Sequence, residues 1–427
     1  TYQYVPYPDT ICPGITRVSP ASVCRFQGAG VLTRRYWQLD FTKKTTLGYA
    51  ECRERVAEMV TESMRRMLAD APSVGCLLSG GIDSTIMLGL LTKLTGKPVP
   101  VFSVGFAIDE FNELPVAETT AARYGALMTP LMLQPDSIER LPEIVRAYGE
   151  PYADSSALPT YYAMELAAKR ARVVFLGDGG DDLFAGYLRY WAVKTAARFD
   201  VIPAPLVRAL ADVFLRVAPG TNRSRSLLGY GRRFLDMLRL PVTERYGRLI
   251  CHFTNEMKDS LYTSDFRHTV AGADSFDFFR GYFNQADRRI DLVDRLLYAD
   301  LNTYMPGDLV VKVEVAAAVN NLIARAPILD PAIIDFAASL PASCKLRGKK
   351  TKFILKDAFR DLIPDNVLNR RKTGFGAPIG VWFRKELNGW LRGRLLDSKL
   401  PRRGYFRREA IESLLTEHQS GARDHGY

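Results

Sequence analysis

Short apolar segments alternate with helical patterns across residues 74–176 of this chain, and the alternation limits the folds available to it. The apolar segments are strand-like runs at residues 74–78, 99–106, 127–133 and 173–176. Strands that alternate with helices at this spacing form a parallel sheet. We therefore predict an α/β fold, a Rossmann-like parallel sheet with helices on both faces, followed beyond residue 190 by a mainly helical region.

Composition excludes several classes of protein. The 58 Lys and Arg residues exceed the 47 Asp and Glu residues, and the net charge of +11 suits a polyanion such as nucleic acid, an acidic membrane surface or a phosphate-rich substrate. No apolar run reaches the roughly 18 residues of a membrane span, and the first residues do not resemble a signal peptide. The six cysteines form no CxxC pair, and the four histidines have no metal-like spacing. We expect free thiols in a reducing cytoplasm and chemistry that does not depend on histidine.

The segment LSGGIDS at residues 78–84 lies between the first predicted strand and a helix. A helix N-terminus attracts anions, the two glycines let the backbone approach a phosphate, and the two serines add hydroxyl donors. Asp83 would repel a bare phosphate, so its presence indicates a bridging Mg²⁺. Taken alone, the segment is equally compatible with an ordinary turn that ends in an Asp-Ser helix cap.

A second loop, LGDGGDDLFAGY at residues 176–187, follows the last predicted strand. Three carboxylates and four glycines at the carboxyl end of a strand suit a metal and substrate site, although a solvated acidic turn has the same composition. Both loops are expected to meet at one edge of the sheet. One carboxylate from each loop, Asp83 and Asp181, could then hold a single Mg²⁺.

These segments resemble the signatures of a known family. LSGGIDS is similar to the SGGxDS loop of the ATP pyrophosphatases, and the second loop resembles the G-[ED]-G-x-D-E-L-F-x-G-Y motif of asparagine synthetases. VFSVGF at 101–106 resembles the family's adenine-contacting strand, residues 150–160 its substrate-side segment, and KTGFGAP at 372–378 its late K-x-G-F-x-x-P block. The chain is identified as a member of the glutamine-hydrolysing asparagine synthetase family, with the synthetase domain of the PP-loop superfamily.

The resemblance implies a role for individual residues. The residues implied at the adenine nucleotide are Leu78, Val104, Leu176 and Gly177, and those implied at the pyrophosphate are Ser79, Gly80, Gly81, Asp83 and Ser84. Asp83 and Asp181 would hold Mg²⁺. Asp178 would support adenylate formation and attack by the amine, and Lys372 would stabilise the charge that develops on the intermediate.

In the family, a carboxylate attacks ATP to give an acyl-adenylate and pyrophosphate, and an amine then displaces AMP. The resemblance implies aspartate as the carboxylate and ammonia from glutamine as the amine. Glu314, Val315 and Ile323 replace the Asp, Arg and Glu that are usual in the family's helix at 312–330, so the acceptor stays open. Alternatives are the same chemistry on an acceptor of a peptide or saccharide pathway, a tRNA-modifying ATP pyrophosphatase suited by the +11 charge, and a non-catalytic scaffold.

The resemblance also predicts the organisation of the chain and its partners. Residues 1–42 would be the edge of an otherwise missing glutaminase domain, 43–200 the ATP-binding α/β domain and 201–427 the helical part of the synthetase domain, so we expect a fragment cut at both ends. The expected partners are ATP, aspartate or another carboxylate, ammonia or glutamine, and the glutaminase domain. We predict a cytoplasmic location and neither a membrane nor a nucleic-acid partner, and leave a homodimer open.

Overall fold

A computed structural model describes residues 1–28, 30–203, 205–207, 209, 212–213, 234–370, 374–397 and 399–426 of the chain. The chain divides into two compact units, each assembled from separate stretches of sequence. The α/β unit consists of Tyr4–Trp191 and Tyr282–Ala377, and the helical unit of Thr1–Gln3, Ala192–Gly281 and Pro378–Tyr427. The expected division at residues 42 and 200 stays a prediction.

Five parallel strands form the central sheet of the α/β unit, in the order β5-β4-β3-β6-β7. The strands in chain order are β1 (Ser22–Gln27), β2 (Gly30–Arg35), β3 (Val74–Leu77), β4 (Pro100–Phe106), β5 (Leu127–Leu133), β6 (Val173–Phe175) and β7 (Ile323–Arg325). The first two pair only with each other, as an antiparallel hairpin. All three residues of β6 are fully buried, and since neighbouring residues of a strand face opposite sides, both faces of the sheet are covered. The predicted fold class is confirmed.

The order of the strands reverses beside β3. The chain adds β4 and β5 on one side of β3, then returns to place β6 on its other side. In doubly wound sheets the ligand crevice lies at the carboxyl ends of the strands where the order reverses. The loops that follow β3 and β6 therefore begin side by side at that edge.

The fifth strand was not predicted. The helix expected over residues 312–330 ends at Val319, and Asn321 takes a left-handed backbone conformation with φ of 54°. The chain then pairs Ile323–Arg325 with β6. A three-residue strand shows no periodicity in the sequence, which is why the family pattern alone suggested one continuous helix.

Helices cover the sheet and form the second unit. In the described residues they include α1 (Tyr49–Ala69), α2 (Ile82–Thr95), α3 (Leu114–Arg123), α4 (Leu141–Tyr148), α5 (Ala157–Ala168), α6 (Gly180–Leu183), α7 (Leu188–Ala197), α8 (Val242–Ile250), α9 (Asn255–Leu261), α10 (Ser264–Thr269), α11 (Asp277–Gln285), α12 (Leu292–Asn302), α13 (Val310–Val319), α14 (Pro331–Ser339), α15 (Ala342–Lys345), α16 (Phe353–Ala358), α17 (Asp365–Leu368), α18 (Ile379–Arg384), α19 (Asn388–Arg392) and α20 (Arg408–Ser420). Within the described part of the chain, none of these is both long enough and apolar enough to cross a bilayer.

One core cluster packs α5 and α13 onto the sheet. Phe102 of β4, Val174 of β6 and Met164 of α5 meet Ala316 and Ala317 of α13 there. This packing fixes α13 beside the strands whose carboxyl ends carry the two loops. In the helical unit, a smaller cluster joins four buried side chains, which are Leu261, Leu396, Ile411 and Leu415.

Candidate active site

The loop between β3 and α2 ends at a helix N-terminus that no side chain caps. The N–H groups of the first turn of α2 are therefore open to an anion, and the helix dipole favours negative charge. The hydroxyl oxygens of Ser79 and Ser84 lie 3.2 Å apart, and the backbone N–H of Ser79 donates to Ser84 Oγ. The loop is thus braced by its own serines. Its predicted pyrophosphate role stays a prediction.

The residues expected at the adenine nucleotide lie around the same strands. Leu78 and Leu176 are buried directly after β3 and β6, and Val104 is buried within β4. Ser103 Oγ donates to the carbonyl of Leu78 at 2.6 Å, which fastens the start of the first loop to β4. The structure brings these residues to one edge of the sheet, whereas their contact with a nucleotide stays a prediction.

The second loop packs directly against the first. A Cβ on Gly180 would lie 2.3 Å from Asp83 Oδ1, so only glycine lets the start of α6 come this close to the first loop. Gly186, where the loop ends, is equally confined, since a Cβ there would lie 2.0 Å from Asp181 Oδ1 and 2.3 Å from Lys352 Cε. The predicted meeting of the two acidic loops is therefore present, and the glycines are what permit it.

Lys352 bridges the two carboxylates that the sequence assigned to Mg²⁺. Its ammonium lies 2.8 Å from Asp181 Oδ1 and also pairs with Asp83. The backbone N–H of Lys352 donates to the carbonyl of Phe184, and its backbone is left-handed, with φ of 50°, directly before α16. A strained backbone of this kind persists where the surroundings hold it, often at functional sites. We call Asp83, Asp181 and Lys352 the Lys352 cluster.

Electrostatics keeps Lys352 charged although it is buried. Burial alone would lower its pKa, but the neighbouring Asp181 and Asp83 outweigh that effect and hold the pKa above its ordinary value. Nothing in the sequence identified Lys352 as a functional residue. It stands in a run of lysines, GKKTK, in which only the fold distinguishes Lys352 from its neighbours.

Asp178 is influenced by the charges of Asp83 and Asp181 in the Lys352 cluster and by a second lysine, Lys312. Burial raises the pKa of Asp178, Lys312 opposes that rise, and the negative charges of Asp83 and Asp181 add to it. A carboxylate with a raised pKa is a stronger proton acceptor than an ordinary one. Its predicted partner in catalysis, Lys372, lies outside the described residues.

The second lysine has its own set of polar partners on α13 and on the segment before α5. Lys312 Nζ donates to Asp154 Oδ2 at 2.8 Å and to Ser156 Oγ at 2.6 Å. One turn earlier, in the π-helical turn Met305–Leu309, Asp308 accepts from the hydroxyl of Tyr152. We call Tyr152, Asp154, Ser156, Asp308 and Lys312 the Lys312 cluster. Apart from the general similarity of residues 150–160 to the substrate-side segment, nothing in the sequence predicted it.

The two substitutions that placed the acceptor pocket in doubt occupy different positions. Ile323 is 53% exposed and pairs with Val173, so it lies at the amino end of β7, away from the loops at the carboxyl ends. Val315 is partly buried on α13, three residues after Lys312. Of the two, only Val315 shares an element with a polar cluster of the candidate site.

Comparison with known proteins agrees with the geometry of the two loops. A family model described as asparagine synthase matches residues 55–427. The chain belongs to the asparagine synthase family. It is 31% identical over 424 residues to asparagine synthetase (glutamine-hydrolyzing) 1 of Bacillus subtilis (strain 168), with 98% of this chain and 64% of that protein covered. A putative asparagine synthetase of Mycobacterium tuberculosis (strain H37Rv) is 31% identical over 440 residues, with 99% and 63% covered.

The matched region is only part of these relatives, because the chain spans about 64% of the length of the first and 63% of the second. Among solved structures, the chain is similar to an NMN synthetase from Francisella tularensis, with a TM-score of 0.24 and 19% identity over 33% of this chain and 59% of that one. A likeness of that size carries no weight for the fold, which the parallel sheet itself defines.

Proposed function

We propose that this chain is the synthetase part of an ATP-dependent amide ligase, which activates a carboxylate as an acyl-adenylate and then amidates it. The observation that carries the proposal is the Lys352 cluster. It joins the two loops that carry the family's signatures, at the sheet edge where doubly wound folds bind ligands. Membership of the asparagine synthase family supports the same reaction class.

Phosphate binding would fall to the first loop. The open N–H groups of α2 and the hydroxyls of Ser79 and Ser84 would hold the pyrophosphate portion of ATP. Lys352 would balance the charge of the leaving pyrophosphate from the opposite side, since a buried cation stabilises developing negative charge more strongly than one in water. The chain's residues thus bind and orient ATP, and leave its α-phosphate open to attack.

The residues present fit a Mg²⁺ ion. The described residues contain no cluster of three or more metal-ligating side chains, but Mg²⁺ on a nucleotide needs only one or two carboxylates beside phosphate oxygens. Asp83 and Asp181 converge on one ammonium ion, so the pair is already arranged around a positive charge. Bound there, Mg²⁺ would neutralise phosphate charge.

Asp178 would handle the proton of the amine. Ammonia must lose a proton after it attacks the acyl-adenylate, and a carboxylate with a raised pKa is a better proton acceptor than an ordinary one. We propose ammonia from glutamine as the amine, released by a glutaminase domain in the full-length protein. The side-chain carboxylate oxygens of Asp178 would be the atoms that take the proton.

Aspartate is the first candidate acceptor, because both relatives described above carry the name of asparagine synthetase. A second candidate is another carboxylate, such as that of a peptide or a saccharide precursor. It is favoured by Val315, which leaves α13 without the guanidinium group that is usual at this position in the family.

One assay tests the proposal. Pyrophosphate release from Mg·ATP is measured for the full-length protein with ammonia and, in turn, L-aspartate, an aspartyl peptide and no acceptor. Acceptor-dependent release is expected. Release only with tRNA would favour the tRNA-modifying alternative, and the absence of release with every acceptor would favour the scaffold and refute the ligase.

A further inference from the structure

Lys312 is a buried lysine that influences Asp178, and none of the steps proposed above uses it. It is 8% exposed and lies on α13, which the core cluster holds against the sheet. Burying an ammonium ion costs free energy unless neighbouring groups compensate its charge. The groups around Lys312 therefore indicate its role.

The partners of Lys312 are themselves braced. Asp154 accepts from the backbone N–H of Ser156 at 2.8 Å and from its hydroxyl. Lys312 therefore donates to two groups that are already bound to each other. On the same face of the helix, Tyr152 ties Asp308 to the segment before α5, and its ring stacks on Tyr148 at 4.2 Å. The segment that binds the ammonium group is therefore itself fixed by hydrogen bonds and ring stacking.

One N–H donor of the Lys312 ammonium group has no acceptor among the described residues. An ammonium group has three N–H donors, and those of Lys312 have two acceptors among the described residues, Asp154 and Ser156. Burial would lower the pKa of Lys312, but Asp154 and Asp308 outweigh burial and hold the pKa above its ordinary value. A charged, rigidly held ammonium ion with a remaining donor is a binding group for an anion.

The proposed reaction needs such a group on the acceptor side. An acceptor carboxylate must approach the negatively charged triphosphate, and Asp178, Asp83 and Asp181 add further negative charge. Lys352 is shared between two carboxylates on the nucleotide side. Lys312 is a cation that influences Asp178 and has a single carboxylate as its ion-pair partner among the described residues.

We propose that Lys312 binds the carboxylate of the acceptor that becomes adenylated, with Asp154 and Ser156 as the positioning residues of its ammonium group. The assignment rests on the proposed ligase function and deepens it. It requires the acceptor to present an anionic carboxylate to α13, whatever the rest of the acceptor is. Carboxylate oxygen attacks the α-phosphate, the bond to the pyrophosphate breaks, and the electron pair leaves with pyrophosphate.

The test measures binding of L-aspartate and of its amide isostere L-asparagine to the full-length protein saturated with Mg²⁺ and a non-hydrolysable ATP analogue. The wild type is expected to bind the carboxylate at least about tenfold more tightly than the amide. Lys312→Met should abolish this preference and raise the acceptor KM about tenfold or more, while affinity for the ATP analogue changes less than about twofold. N-acetyl-aspartate and an aspartyl peptide are run in parallel.

Two variants separate binding from folding. Lys345→Met removes a lysine that is just as buried and pairs with Asp294 at 2.8 Å elsewhere in the α/β unit, so it should lose stability but keep the preference for carboxylate. The pair Asp154→Asn with Lys312→Met removes both members of the ion pair between them and should still lack the preference. Lys312→Arg keeps a positive charge at this position and should retain part of the preference for carboxylate.

The outcomes distinguish the two proposals. A wild type that releases pyrophosphate with an acceptor, together with an unchanged acceptor KM in Lys312→Met, would overturn the role of Lys312 and leave the ligase intact. A wild type that releases no pyrophosphate with any carboxylate would overturn both. If Lys345→Met lost the preference for carboxylate to the same extent, the loss in Lys312→Met would be explained by lower stability. That result would also overturn the proposed role of Lys312.

Discussion

The Lys352 and Lys312 clusters both hold a buried lysine with two acceptors, and they differ in the charge of those acceptors. Lys352 is shared by two carboxylates from two loops, and the close fit leaves room only for glycine at positions 180 and 186. Lys312 has one carboxylate and one hydroxyl as acceptors, on a braced segment beside a helix. A cation between two carboxylates suits a place where charge is exchanged with phosphate, whereas a cation with a single carboxylate suits the binding of a further anion. Asp178 lies within the influence of both.

Removing Lys352 should have the largest effect. In Lys352→Met, Asp83 and Asp181 lose the ammonium group that joins them, and ATP loses the cation beside its pyrophosphate. We expect exchange of labelled pyrophosphate into ATP to fall by about 10³-fold, the scale of losing a strong transition-state contact. The exposed Lys350→Met nearby is the matched control and should retain exchange. Near-normal exchange in Lys352→Met would remove the distinction between the clusters.

Adding one methyl group at Gly186 should have the next largest effect. The new Cβ of Gly186→Ala would overlap Asp181 Oδ1 and Lys352 Cε, so the bridge must shift. Misplacement of catalytic groups by about 1 Å costs about 10²-fold in rate, which is the expected loss of acceptor-dependent pyrophosphate release. Gly281→Ala in α11 meets no atom within 4 Å and should leave the rate unchanged. Equal rates in the two variants would show that the close packing is dispensable.

Neutralising Asp308 should change stability in a way that depends on pH. Burial raises the pKa of Asp308 from 3.8 to about 7, with Asp154 adding and Lys312, Tyr152 and Arg189 opposing. The folded protein therefore binds more protons than the unfolded chain between these values, and this group makes stability fall as pH rises from about 4 to 7. Asp308→Asn removes that cost, which is on the order of 4 kcal/mol for a shift of this size.

Thermal unfolding at pH 5 and pH 8 measures the effect. Relative to the wild type, Asp308→Asn should gain stability as the pH rises, and most of the gain should be complete just above pH 7. The Asp294→Asn variant removes a buried carboxylate that pairs with two lysines, so it should lose stability at both pH values. Parallel curves for Asp308→Asn and the wild type would mean that the Lys312 cluster carries no excess negative charge.

The two acidic loops could be predicted from the sequence because their information is local. Each follows a strand-like run, and each combines glycines with carboxylates over about a dozen residues or fewer. Lys352 could not be found in this way, because it lies 269 residues from Asp83 and two other lysines stand two and three residues before it. The Lys312 cluster joins groups 158 residues apart, and β7 is too short to show a period. Long-range pairing of this kind is a property of the folded chain.

The discontinuous α/β unit has a consequence for the order in which the site is made. Both acidic loops belong to its first stretch, which ends at Trp191, whereas both lysines and the fifth strand belong to the second, which begins at Tyr282. A ribosome that has released only the first stretch has made the anionic half of the centre without its cations. Domains generally fold during synthesis, the N-terminal part first, but this one cannot be completed until Lys352 has emerged. The ribosome therefore makes the aspartates at positions 83, 154, 178 and 181 before it makes Lys312 and Lys352, whose positive charges allow these aspartates to be buried.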